Sequence, residues 1–218
     1  MRRPIFAVLA LAATAASLSA QARPAAKTVF PDDYRRTEQD YSDLVRWRDI
    51  VHADVYLLQE VTSPAAIDSI FPVVQGWKHC ISGQYAKAEG NAPAPVCTNP
   101  GETAAKPAAS TRTQYTAIAV NTKSGVTIES VNDLSSLDIP TKTDDGVRSV
   151  RWGLDVTLLT GSERLRALVV HMKSGCFDDF LNRKEFIEDP TGKEPSSSSC
   201  TVLARQLFPL RAWIEARE

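Results

Sequence analysis

Two residues of this chain, Glu60 and His171, stand where apolar runs stop. Glu60 follows Val55-Tyr56-Leu57-Leu58-Gln59, a run too short for a typical helix and bounded by Asp54, which reads as a buried strand surfacing on a polar pair. A carboxylate at such a strand tip is a hard oxygen ligand of the kind Mg²⁺ prefers. His171 ends a second apolar run and opens His171-Met172-Lys173-Ser174-Gly175-Cys176. An imidazole, an ammonium and a hydroxyl within four residues can bind a phosphate group and stabilise the charge that builds on it during displacement. A metal held by Glu60 would polarise the phosphoryl group or lower the pKa of an attacking water. Taken singly these signals are weak. A Glu after an apolar strand is more often merely solvated, and a His beside Lys and Ser usually just starts a loop. His52 and His79 carry only that plain reading.

The elements around these residues read as a mixed α/β chain. Thr37-Glu38-Gln39-Asp40 resembles a capping box, and Tyr41, Leu44, Val45 and Arg48 then share one helical face to about Val51. A strand over 54–61 follows, and Ser63-Pro64 opens a short helix through Ile70. Residues 76–83 read as a strand, and 84–110, rich in Ala, Pro, Gly and Asn, as a linker-like loop fastened near its middle by Cys97. Strands are expected at 114–121 and 126–131, separated by a turn at Lys123-Ser124-Gly125. Residues 148–159 and 165–172 form a hairpin about Gly161-Ser162, its second strand ending on His171. Residues 173–199 make a long polar loop, and from Cys200 onward Leu203, Leu207, Leu210 and Ile214 follow helical spacing. Pro209 must kink or restart that helix.

The bulk numbers fit one ordinary domain. The chain has 218 residues, 43% hydrophobic and 23% charged, with a formal net charge of -1. A core is within reach, and there is no global attraction to nucleic acid. Residues 1–22 read as a signal peptide: Arg2 and Arg3, then an apolar stretch from Ile5 to Leu18, then Ala20-Gln21-Ala22 as a small-x-small cleavage site. The product would be secreted or periplasmic and free of the membrane after cleavage. Four cysteines, Cys80, Cys97, Cys176 and Cys200, fit two disulfides in an oxidising compartment.

Several segments, taken in order, resemble the endonuclease/exonuclease/phosphatase superfamily, the deoxyribonuclease-I-like fold. "ADVYLLQEV" resembles its Gln-Glu motif, and "RALVVHMKSGC" its strand ending in His-Leu-Lys-Ser, with Met172 in place of Leu. "YTAIAVN" resembles the intervening strand, and "CTVLARQLFPLRAWIEAR" the helix before the next catalytic strand. The chain closely resembles secreted bacterial members with a cysteine after the His-Lys-Ser segment and another before the last helix. The resemblance, from roughly Tyr34 to Glu218, implies a four-layer α/β sandwich of two mixed sheets flanked by helices. It also implies a phosphodiesterase or nuclease that hydrolyses a phosphate-ester substrate, nucleic acid among the candidates, with Mg²⁺ or Mn²⁺. Glu60 would be a catalytic residue and the metal ligand, His171 the catalytic histidine on the phosphate, and Lys173 and Ser174 substrate-binding residues. Glu60 and His171 are expected close together at one edge of the sandwich, facing a shared polar cleft.

The pairing Cys80–Cys97 and Cys176–Cys200 is expected, because it closes each loop within its own segment. The family's opening Trp-Asn strand and its closing Gly-Asp-x-Asn and Ser-Asp-His motifs have no counterpart here. Residues 23–218 are therefore expected to be a partial, incomplete domain and a poor catalyst. The alternative is a secreted, disulfide-bonded binding module without turnover.

Overall fold

The computed structural model of the protein describes residues 6–9, 37–103, 113–143, 146–176 and 199–217. Helix α1 (Glu38–Val51) begins at the capping box: Thr37 Oγ1 accepts from the Asp40 N–H at 3.2 Å, and the Asp40 carboxylate accepts from the Thr37 N–H at 2.7 Å. Its apolar face, with Tyr41, Leu44 and Val45, packs on a cluster containing Tyr56, Leu58, Phe71 and Trp77. Arg48 is buried on the same side, donating to the Ile70 carbonyl, with its guanidinium 5.9 Å from the Trp77 ring centroid. Strand β2 (Val55–Val61) follows, then α2 (Pro64–Asp68), whose first turn is capped by the Ser63 hydroxyl accepting from the Ala66 N–H at 3.1 Å.

A five-stranded mixed sheet runs in the order β1-β2-β5-β3-β4, where β1 is Phe6–Leu9, β3 Trp77–Ile81, β4 Val96–Thr98 and β5 Tyr115–Asn121. β1 pairs parallel with β2 and the other pairs are antiparallel. The second sheet is antiparallel, β10-β9-β6, with β6 Val126–Leu134, β9 Gly153–Thr160 and β10 Glu163–Val169. A small hairpin joins β7 (Thr141–Thr143) to β8 (Gly146–Arg148). Side chains alternate faces along a strand, so Val55, Ile118 and Val120 of the first sheet meet Leu154, Val156, Leu158 and Val169 of the second in one shared core. The fold is thus an α/β sandwich with α1 and α2 outside the larger sheet. On the far side, helix α4 (Ser199–Glu215) is followed by Arg217, which donates to Asp155 Oδ2 at 3.0 Å on the outer face of β9.

Two expectations differ from the structure. The loop expected over 84–110 begins with helix α3 (Gly83–Ala88) and contains β4. The composition misleads here because β4 takes its place from outside itself, with Cys97 facing Cys80 in the ladder and bonded to it. The hairpin strands are shorter than expected: Ser149 to Trp152 lie outside β9, and β10 ends at Val169, so His171 lies just past the strand. α4 continues through Pro209, so of the two outcomes expected there the restart does not occur. Within residues 1–22, expected to be a signal peptide, Phe6–Leu9 pair in parallel with β2. Most of the polar loop expected over 173–199 lies outside the described residues.

Both disulfides join the expected partners, Cys80–Cys97 and Cys176–Cys200. Among the described residues, no helix is long and apolar enough to cross a membrane.

Candidate active site

β2 does not run straight to its end. Its register with β5 shifts between Leu58 and Val61, and Glu60 within that bulge has φ 59°, the left-handed region. A bulge re-aims the side chain it carries, and a non-glycine residue in this region is uncommon enough to ask what holds it there. Part of the answer is Gln59, whose Nε2 donates across the sandwich to the carbonyl of Val170. That bond ties the end of the first sheet's β2 to the segment leaving β10 in the second.

The consequence is convergence. Glu60 Oε1 lies 3.7 Å from His171 Nε2, with both side chains partly buried, Glu60 at 27% exposure and His171 at 16%. The separation exceeds a hydrogen bond, so the two groups interact through charge and both face the same small space. His171 Nδ1 is buried without a hydrogen-bond partner among the described residues. Burial lowers the pKa of His171, and the positive charge of Arg151 lowers it further against the opposing pull of Glu60. The imidazole is therefore neutral near pH 7, with one nitrogen able to accept and one to donate.

Arg151 is the residue that sequence reasoning missed. It precedes β9 with no motif around it. Burial lowers its pKa and the Glu60 carboxylate raises it in turn, so the three side chains form one electrostatic group. Its Nη2 donates to Gln114 Oε1 at 2.9 Å, just before β5. A guanidinium stays charged when buried and presents a fork suited to phosphate oxygens.

The segment after His171 is fastened to α4. Gln206, fully buried, accepts from the Lys173 N–H at 2.7 Å and donates to the Leu137 carbonyl at 3.0 Å. Cys176–Cys200 closes the same junction. Lys173 is half-buried and Ser174 exposed, and neither side chain has a hydrogen-bond partner among the described residues. Both are therefore available to a ligand. His79 lies in the core, fully buried, 3.7 Å from Asp68 Oδ1, and His52 closes α1 in a left-handed turn. The plain reading of both is structural.

The donor set does not complete a Mg²⁺ site. Among the described residues no three carboxylate, histidine or cysteine groups gather as metal ligands. Glu60 alone is a weak site for an ion that demands near-octahedral oxygen geometry.

No family model matches the chain, and no curated protein does. Among solved structures it is similar to humanized D. rerio TDP2 carrying 14 mutations, at 15% identity and TM-score 0.42, over 83% of this chain and 52% of that one. It is similar also to D. rerio TDP2 complexed with a single-strand DNA product, at 14% identity and TM-score 0.41, over 82% and 50%. The chain spans about half the length of either.

Proposed function

We propose that this protein is a phosphate-ester-binding member of the endonuclease/exonuclease/phosphatase superfamily whose site lies at Glu60, His171 and Arg151, with phosphodiester hydrolysis as its chemistry. The observation that carries the reading is the convergence of a carboxylate, a neutral imidazole and a half-buried guanidinium at joined strand ends. Arg151 and Lys173 would bind the phosphate oxygens. The His171 imidazole would donate a hydrogen bond to the oxygen on which charge builds, a role that needs no proton to be gained first. Glu60 would supply one metal ligand, or would orient a nucleophile by accepting its hydrogen bond.

Because no three carboxylate, histidine or cysteine groups gather as metal ligands among the described residues, phosphate binding without turnover is the second reading. Secretion after removal of residues 1–22 belongs to the same proposal, supported by the leader-like sequence and the two disulfides. The deciding experiment measures hydrolysis of single-stranded DNA and of bis(p-nitrophenyl) phosphate with Mg²⁺ or Mn²⁺, for this chain and its Glu60→Gln and His171→Asn variants. Turnover lost in both variants supports hydrolysis. Binding without turnover, weakened by Arg151→Ala, supports the second reading. Neither binding nor turnover overturns both.

A further inference from the structure

The residues flanking Arg151 belong to no strand, yet Val150 and Trp152 are buried. Buried backbone polar groups must be paired, and here side chains do the pairing. The Val150 N–H donates to Asp138 Oδ1 at 2.9 Å, and the Trp152 carbonyl accepts from Thr116 Oγ1 at 2.9 Å. The two inner groups go to one residue. Gln84 Nε2 donates to the Val150 carbonyl at 2.7 Å, and Gln84 Oε1 accepts from the Trp152 N–H at 3.1 Å. A carboxamide has the donor and acceptor of a peptide group, so Gln84 substitutes for a neighbouring strand at a single rung, and that rung straddles Arg151.

We propose that Gln84 is a positioning residue for Arg151, clamping the backbone on either side so that the guanidinium is held beside Glu60 and His171. The claim for phosphate rests on the functional reading above; the claim for position does not. Satisfying backbone groups would by itself require nothing of Arg151. The clamp is instead centred on that residue, and the Arg151 side chain is steadied by Gln114, on the approach to the same strand that supplies Thr116. Arg151 cannot shift along the chain without breaking both Gln84 bonds. Small misplacements of a positioned group have large effects, about 100-fold for roughly 1 Å.

The test uses the full chain with Gln84→Met, which keeps the length of the side chain and removes both bonds, together with Arg151→Ala and the double variant. Gln84→Asn, whose shorter carboxamide cannot reach both backbone groups, serves in place of Gln84→Met should that variant not fold. Three quantities are read: the Arg151 Nε–H resonance, hydrogen exchange of the Trp152 amide, and the dissociation constant for inorganic phosphate. Gln84→Met should speed Trp152 exchange by about 10-fold, the factor expected from one lost hydrogen bond, while Leu154 and Val156 in β9 stay protected. The Arg151 resonance should shift, and phosphate should bind about 10-fold more weakly, with no further weakening in the Arg151→Ala background. An unchanged Arg151 resonance, or equal weakening in both backgrounds, would overturn the proposal. A shifted resonance with phosphate binding indifferent to Arg151→Ala would uphold the positioning role and defeat the phosphate reading instead.

Discussion

Gln59 hydrogen-bonds the carbonyl of Val170, so the residue before Glu60 is joined to the residue before His171. One side chain sets the spacing of the candidate site across two sheets. Gln59→Leu should lower stability by about 1–3 kcal/mol, the cost of leaving a partly buried carbonyl without its donor. It should also weaken phosphate binding at temperatures where the variant is fully folded. Urea unfolding and phosphate titration on one preparation check both effects. Loss of stability with unchanged binding would separate the strand tie from the site.

Acid should destabilise the protein through its buried histidines. Burial lowers the pKa of His79, against a smaller opposing effect of Asp68, and burial with Arg151 lowers that of His171. Unfolded, each titrates near 6.5. Below that pH the unfolded chain takes up protons that the folded chain refuses. Stability is therefore fully present above about pH 6.5 and falls as pH drops towards the depressed folded values. His79→Met should make urea midpoints between about pH 7 and pH 5 less steep with pH. An identical slope would remove His79 from this account.

The Cys176–Cys200 bridge spans a sequence separation of 24 residues, and a loop of that size contributes about 3 kcal/mol by chain entropy. The double variant Cys176→Ser with Cys200→Ser should lose that much in urea unfolding. It should also speed amide exchange at Lys173, whose N–H bonds Gln206 at the same junction. Protection at Lys173 equal to that of the parent would mean that Gln206 suffices alone.

Gly83 admits no side chain. A Cβ there would fall within contact of Asp133 Oδ2 and 2.6 Å from the backbone of Ala94. Gly83→Ala should cost about 1–3 kcal/mol, as overpacking does. Adding Asp133→Ala should not restore the loss, because the Ala94 backbone remains. Thermal unfolding of the two variants decides, and full recovery in the double variant would assign the clash to Asp133 alone.

Much of the frame was legible in the sequence. The capping box at Thr37, the apolar run into Glu60 and the turn at Gly161-Ser162 are local signals, and each produced its element. Glu60 and His171 were legible because each sits where a hydrophobic run stops. Their meeting at one edge was expected from the resemblance and is found, at 3.7 Å; the tie that sets it, Gln59 reaching the other sheet, left no local signal. Arg151 left no local trace: an arginine between Val150 and Trp152 is ordinary until α3 and β5 are folded beside it. α3 and β4 were hidden by Ala and Pro, because β3 and the Cys80 bond hold β4 rather than any propensity of Val96-Cys97-Thr98.

α4 is fixed at its start by Cys200 and near its middle by Gln206, and the chain is fixed again just past its end by Arg217 on Asp155. In mechanical terms it is a beam clamped at its supports, with Pro209 near midspan, where one rung of its hydrogen bonding is missing. Any bend of the helix is expected at that weak point, between the support that holds Lys173 and the one on β9.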